Sequence, residues 1–368
     1  MNMRKRISIL FVPSGTKIAP ATRYRINQYL PYLDKEFMEY SVYSIISHNM
    51  TLRMIKSPTY NALGKLFYYI GIVAEKFIRG LKIIYIANKF DIVYLQRTTF
   101  MFGLEKLLKI RNKNIIFDID DSIYMPDNEE NGILGALKKS MKRKEVSSVL
   151  KITKCVIVEN RHIKNFVRQY CNNIYLITGP IDSVKNYTKE YRQDAKEIAI
   201  GWIGSPSTTP YLNMLNNVFV ELSKKYKIKV MLIGAAHYEI EGLKIENIPW
   251  QEETEVFQLH KFDIGIMPMP DDEWTRGKVG CKMLQYMANA IPAVVSYTPT
   301  NAEIIEDGVN GFLARSESQW VEKMSLLIES FDLRQMVGKK GRQAVEEKFS
   351  LQVNFPKLKE VLENCIKN

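Results

Sequence analysis

Apolar residues along the chain follow two spacings. Short stretches rich in apolar residues occur at 7–12, 39–46, 91–95, 114–117, 154–158 and 175–178, and again at 198–203, 229–233, 248–250, 264–268 and 291–295. Between them, apolar residues return every three or four positions. The first spacing predicts buried strands and the second amphipathic helices. Helices are expected from about Thr22, around Ile163, Phe166 and Val167, over 211–226, 252–260 and 279–289, and near Ile304. The segment 351–366 gathers Val353, Leu358, Val361, Leu362 and Ile366 on one helical face. Strands apolar on both faces, alternating with helices, predict α/β architecture with doubly wound parallel sheets. The alternation breaks at Gly179-Pro-Ile-Asp and a polar stretch running to Lys196, then restarts. Two domains are therefore expected, 1–182 and 197–350, joined by a linker at 183–196.

One stretch fits the alternation poorly. Residues 61–89 carry Leu66, Ile70, Val73, Phe77, Leu81 and Ile84 at helical spacing, with Lys65, Lys76, Arg79, Lys82 and Lys89 between them. The expected form is a pair of helices facing the core; the other is a face presented to an anionic membrane.

Bulk properties narrow the classes. A chain of 368 residues with 46% hydrophobic and 25% charged residues is that of a folded globular protein. Its net charge of +12 favours anionic partners. Basic residues are spread evenly and no aromatic–basic recognition motif appears, so nucleic acid is not an expected partner. Cys155, Cys171, Cys281 and Cys365 include no C-x-x-C pair, and His48, His162, His237 and His260 lie far apart. No disulfide framework or metal site is expected. The run at 7–12 is short for a signal peptide, and no stretch reaches the ~18 apolar residues of a spanning helix. An intracellular location is expected.

The densest chemistry lies at 263–313. Pro268 and Pro270 end a strand, and a loop over 271–280 with three acids, two bases and two glycines leads into a helix near Val279. A glycine-bearing turn into a helix exposes backbone N–H groups at the positive end of the helix dipole. Arg276, Lys278 and Lys282 add charge at the same place. That combination suits a diphosphate, held or departing. In the first half, the strand at 114–117 runs into Asp118, Asp120 and Asp121, and the strand at 91–95 ends at Arg97. Acids at a strand's carboxyl end face the crevice where open α/β sheets bind ligands. Gly15 follows the first strand without a G-x-G-x-x-G fingerprint, and Arg23 and Arg25 follow at positions diverging by about 160° on a helix.

These motifs resemble the glycosyltransferase family 4 enzymes of GT-B fold. The segment D-I-G-I-M-P-M-P…R-G-K-V-G-C-K-M-L-Q-Y-M-A-N-A-I-P-A-V-V…E-I-I-E-D-G-V-N-G-F-L is similar to their donor-binding motif. G-W-I-G-S-P-S-T and F-D-I-D-D-S resemble a bacterial surface-glycan subgroup. The resemblance implies two Rossmann-like domains facing a central cleft, with the helix at 351–368 crossing back to the first. It implies a retaining enzyme without metal or cofactor, its donor substrate a nucleoside-diphosphate sugar. Catalysis would rest on stabilising the leaving diphosphate, with Arg276, Lys282, Asp120 and Asp121 as the catalytic candidates. Gly15, Gly204, Ser205, Lys278, Val279 and Gly280 would join Arg276 and Lys282 around the diphosphate. Gly234, Trp250, Asp272, Gln285 and Glu303 would meet base, ribose or sugar. Arg23, Arg25, Arg97 and Asp118 would meet the acceptor.

The chain departs from the family pattern in places. Gly277 and Gln285 stand where the motif has two glutamates, and Ser205, Ser207, Thr208 and Thr209 where many members carry Arg and Lys. Arg276 and Lys282 are expected to supply that charge. Ala290 replaces a helix-ending glycine, at a cost of roughly 1 kcal/mol if φ is positive there. The excess positive charge and the 61–89 stretch point to a lipid-linked polyprenyl-diphosphate glycan acceptor. The expected place is the cytoplasmic face of the plasma membrane, against an anionic surface. A soluble small-molecule acceptor, or nucleotide-sugar binding without catalysis, are the alternatives.

Overall fold

The structure is a computed structural model that describes residues 6–56, 60–125, 133–193 and 196–367. It divides into two compact units, residues 1–180 with 354–368, and residues 181–353.

The first unit holds a parallel sheet of β1 (Ser8–Pro13), β2 (Glu39–Val42), β3 (Ile92–Gln96), β4 (Ile115–Ile119), β5 (Cys155–Val158) and β6 (Ile174–Leu176), in the order β2-β1-β3-β4-β5-β6. The central strands are buried throughout. β2 spans Glu39–Val42 and not the whole of 39–46, although Tyr43 N and Ile45 N still donate to the Phe11 and Pro13 carbonyls of β1, at 2.8 and 3.0 Å. The helix Leu351–Lys367 buries Leu358, Val361 and Leu362, and Phe355 packs on Tyr29 and Tyr32 with centroids 6.3 and 5.2 Å away. Its residues from Asn354 onward belong to this unit.

The 61–89 stretch differs from the expected helix pair. It forms one helix, Ala62–Ile86, capped by the Asn61 side chain, which accepts from Gly64 N. Its buried side is Tyr68, Gly80, Ile83 and Ile84, with Gly80 set close to Leu104. Leu66, Ile70, Val73, Phe77 and Leu81, the residues expected to face the core, are exposed, Leu66 at 54% and Ile70 at 58%. The neighbouring helix, Leu104–Arg111, covers one side of a helix that is apolar on two.

The second unit repeats the plan with β7 (Ile198–Ile203), β8 (Ile228–Ile233), β9 (Ile245–Ile248), β10 (Ile264–Met267), β11 (Ala293–Ser296) and β12 (Phe312–Ala314), ordered β12-β11-β10-β7-β8-β9. Trp202, Phe219, Leu232, Ile266 and Met324 form part of its core. β9 and β12 are short edge strands that differ from the expected pattern: β9 falls at Ile245–Ile248 and not at 248–250, and the segment after Ile304 is β12 and not a helix. The expected helix at 211–226 is instead the end of a 3-10 segment, Pro206–Leu215, followed by a helix, Asn216–Lys225. The expected linker at 183–196 is part of this unit's body in its described residues: Lys189 Nζ donates to the Phe262 carbonyl, and Tyr191 Oη donates to the Ala290 carbonyl at 2.6 Å. Ala290 does take a positive φ, +56°.

β7 and β10 meet where the strand order reverses, the place at which open α/β sheets bind ligands. They pair only at Ile264↔Ile200 and Gly265↔Gly201. Past those pairs the Tyr286 hydroxyl bridges them, accepting from Ile203 N at 3.1 Å and donating to the Ile266 carbonyl at 3.1 Å. Gly265 makes room for the ring, since a Cβ there would lie 2.5 Å from Tyr286 Cγ. Tyr286→Phe leaves both buried backbone groups unsatisfied, at a cost of roughly 1–3 kcal/mol. The expected outcome is a lower melting temperature in a thermal scan with an unchanged far-ultraviolet dichroism spectrum at 25 °C; an unshifted melting temperature would remove Tyr286 as the clamp.

Candidate functional site

Three glycines bring backbone together at the carboxyl ends of β7, β8 and β10. At Gly204 a Cβ would lie 2.4 Å from the Trp202 indole and 2.9 Å from Lys282 Cε. At Gly234, with φ +73°, a Cβ would lie 2.4 Å from the Gly204 carbonyl oxygen. At Gly280 a Cβ would lie 2.3 Å from Met267 Sδ, so the helix Cys281–Ala288 starts flush against the end of β10. Gly280 is its N-cap and brings no side-chain cap, and Val279 before it is buried.

Lys282 enters from the first turn of this helix. Its Nζ stands 4.6 Å from the centre of the Trp202 ring and donates to Thr208 Oγ1 at 3.3 Å. No acid pairs with it among the described residues. Burial, reinforced by Lys278, pulls its ammonium down to about 7. Lys278 lies over Trp274 at 5.6 Å. Arg276 differs from the expected free cation: Nε donates to Asp271 Oδ1 at 2.7 Å and Nη2 to Asp271 Oδ2 at 3.2 Å, in an exposed pair. Its short helix, Glu273–Arg276, exists because Asp272 caps it, accepting from Thr275 N at 2.7 Å. Asp272, expected to read the sugar, is thus engaged as a cap. Ser205 and Ser207 hydroxyls lie 2.9 Å apart and add no charge.

Gln285 lies one turn after Lys282 and is buried. Its Nε2 donates to Glu255 Oε1 at 3.0 Å, and Trp250 Nε1 donates to Glu255 Oε2 at 2.5 Å. Glu255 was not singled out from the sequence. It stands among Glu252 and Glu253, and nothing local distinguishes it; only its burial does. Glu303 ends an exposed 3-10 turn, Asn301–Glu303, anchored by Asn301 Nδ2 on the Ser296 carbonyl at 2.8 Å.

In the first unit, the expected acceptor residues separate into two groups. Arg25 is buried and bidentate to Asp118, at 3.0 and 2.6 Å, and also donates to the carbonyls of Ile177 and Gly179. Tyr94 Oη donates to Asp118 at 2.7 Å. Arg25 and Asp118 therefore hold the unit together and, contrary to expectation, are both buried and engaged by protein groups. Arg23 is half-buried beside the Tyr24 ring, and Gly15 packs against Ala19 and Thr51. Arg97, by contrast, sits at φ +51° just past β3, with Nε on Asp120 and Nη2 2.7 Å from Asp121. Burial works against the charge of Asp120, but Arg97 outweighs it and holds the carboxyl below the usual range. Glu159, just past β5 and also missed in the sequence, is buried near the same group, and burial pushes its carboxyl well above the usual range. An acid at the carboxyl end of a strand was its only signal.

Residues 197–330 match the sequence model of a family described as glycosyl transferases group 1, a match confined to the second unit. No curated protein sequence matches the chain. Among solved structures, the chain is similar to Anabaena HepE, captured with UDP-glucose, with a TM-score of 0.68 at 14% identity over 98% of this chain and 100% of that one. A sucrose-phosphate synthase from Thermosynechococcus elongatus gives 0.71 at 12% identity over 98% and 99%. A glycosyltransferase from Rickettsia africae gives 0.68 at 14% identity over 99% and 100%. The fold is that of the GT-B glycosyltransferases. At these identities the likeness establishes the fold; the chemistry has to be argued from the residues.

Lys282 makes the second-unit site testable by pH. Its depressed value means that near neutrality the ammonium is only partly charged, and a bound diphosphate would favour the charged form. Binding then takes up a proton above pH 7 and none well below it. Calorimetry with UDP should show affinity falling by up to about tenfold per pH unit above 7, with a buffer-dependent enthalpy. Lys282→Met should remove both effects. A pH-independent affinity in the parent protein would remove Lys282 from the diphosphate site.

Proposed function

We propose that this chain is a retaining glycosyltransferase that moves a sugar from a nucleoside diphosphate to a hydroxyl of a lipid-linked, polyprenyl-diphosphate glycan. The observation that carries the donor half is Lys282: a cation without an acidic partner among the described residues, at the start of a glycine-capped helix, in the segment matched to glycosyl transferases group 1. A diphosphate placed there meets the Lys282 ammonium and the positive end of the helix dipole. Both strengthen their hold as negative charge develops on the leaving oxygen, and this lowers the barrier. Gln285, on the same helix face, meets the ribose. The retaining course and independence of metal and cofactor rest on the resemblance of residues 263–313. UDP-sugars are the first donors to try, on the likeness to the Anabaena protein captured with UDP-glucose.

The membrane half rests on the helix Ala62–Ile86. Its exposed stripe of Leu63, Leu66, Phe67, Ile70, Ile78 and Leu81 is flanked by exposed Lys65, Lys82 and Lys89. An apolar stripe edged by lysines suits the headgroup boundary of an anionic leaflet, with about 1 kcal/mol from each lysine. No helix among the described residues is long and apolar enough to cross a membrane. The enzyme would work on the cytoplasmic face. The alternative, a soluble acceptor, draws support from the likeness to a sucrose-phosphate synthase.

Two measurements check these halves separately. Lys282→Ala and Arg276→Ala should each lower kcat by about 10²-fold, the scale of losing one charge-stabilising donor. Because Arg276 is paired with Asp271, full activity in its variant alone would assign the role to Lys282. Normal turnover in both would refute the leaving-group site. The protein should float with phosphatidylglycerol vesicles at low salt, less at high salt, and lose flotation on Leu66→Glu with Ile70→Glu. A protein that stays at the bottom of the gradient at low salt would overturn the membrane half.

A further inference from the structure

The carboxylate of Glu255 is buried and both its oxygens accept side-chain hydrogen bonds, one from Gln285 and one from Trp250. The consequence for Gln285 is chemical. A primary amide has a donor end and an acceptor end and can present either. An ionised carboxylate accepts only, so facing Glu255 requires the Nε2 end and turns Oε1 the other way. Gln285 is 5% exposed, and its Oε1 accepts no hydrogen bond among the described residues. On this largely buried side chain it is an acceptor without a donor among the described residues, one helical turn from Lys282. Trp250 lies on the other side: a Cβ on Gly234 would lie 3.1 Å from Trp250 Cβ and 2.4 Å from the Gly204 carbonyl oxygen. The glycines thus place Trp250, a residue 38% exposed, next to the strand ends that Lys282 overlooks.

We propose that Glu255 is the positioning residue of a nucleoside subsite: it orients the Gln285 amide with Oε1 as acceptor for a ribose hydroxyl and holds the Trp250 ring as the wall for the base. This rests on the donor reading above. Glu255 itself touches neither group of the ligand; its effect passes through the two side chains it holds. Without it the Gln285 amide is free to turn its donor end to the ribose, and the Trp250 indole loses the hydrogen bond that Glu255 accepts. What Glu255 controls is therefore discrimination at the ribose, separate from the hold on the diphosphate, which belongs to Lys282 and the helix terminus.

The test is calorimetry on the full chain with whichever of UDP, GDP and ADP binds the parent protein, with the 2′-deoxy and 3′-deoxy forms of that nucleotide, and with inorganic pyrophosphate. The parent should prefer the ribonucleotide over at least one deoxy form by about tenfold, as a site built to receive a hydroxyl does. Glu255→Gln and Glu255→Ala should each cut that ratio to about threefold or less, because neither is an obligate acceptor, while pyrophosphate affinity stays within about twofold. Gln285→Ala should abolish the ratio, and adding Glu255→Ala to it should cost no further discrimination. Discrimination unchanged in both Glu255 variants overturns the proposal. So does a parallel loss of pyrophosphate affinity, the mark of a purely structural role. A parent that binds no nucleoside diphosphate overturns the donor reading itself, an outcome distinct from either.

Discussion

The second unit depends on one hydroxyl. A doubly wound sheet has to open where its strand order reverses, and β7 and β10 share only two register pairs before they part. The Tyr286 Oη stands in the opening and satisfies a backbone group on each side. Because Tyr286 belongs to the helix Cys281–Ala288, the same contact sets how that helix lies on the sheet. Gly265 under the ring and Gly280 against Met267 permit the close approach. Lys282 and Gln285 take their places from it. A helix shifted by one residue would turn both away by about 100°.

The first unit solves its own opening with charge. Its order reverses between β1 and β3, and there Arg25 reaches Asp118 at the end of β4 and two carbonyls at 177 and 179. A buried ion pair stabilises little relative to a well-packed apolar core, yet removing one partner costs about 3–5 kcal/mol. Such a pair specifies geometry. Here it joins the first helix, the fourth strand and the segment leading to the second unit. The neighbouring group of Arg97, Asp120, Asp121 and Glu159 carries more acid than base, so one carboxyl is driven toward its neutral form, and burial selects Glu159.

Departures from expectation share a cause. Helical spacing showed that Ala62–Ile86 has an apolar face, but periodicity reports a face and not its partner; among the described residues nothing covers that face. Short edge strands such as β9 and β12 lack the length for a two-residue period to stand out. The loop at 271–280 reads as a charged loop, yet Asp272 and Thr275 close a capping box and Asp271 pairs with Arg276, so two candidate ligand contacts serve the loop itself.

The sequence by itself determined the α/β alternation, its restart in a second half, ten of the twelve strands near their places, and the glycine-and-lysine segment after β10, because these are local patterns of period and composition. It also showed that Ala290 would carry strain if its φ were positive, as it is. Tertiary structure alone decided which charges remain available. Arg25 and Asp118 cancel each other, Arg276 is paired, and Lys282 is left without an acid among the described residues. Glu255 became visible only when folding brought Trp250 and Gln285, thirty-five residues apart in sequence, to one carboxylate. Pairing and burial are relations between distant parts of the chain, and no local pattern encodes them.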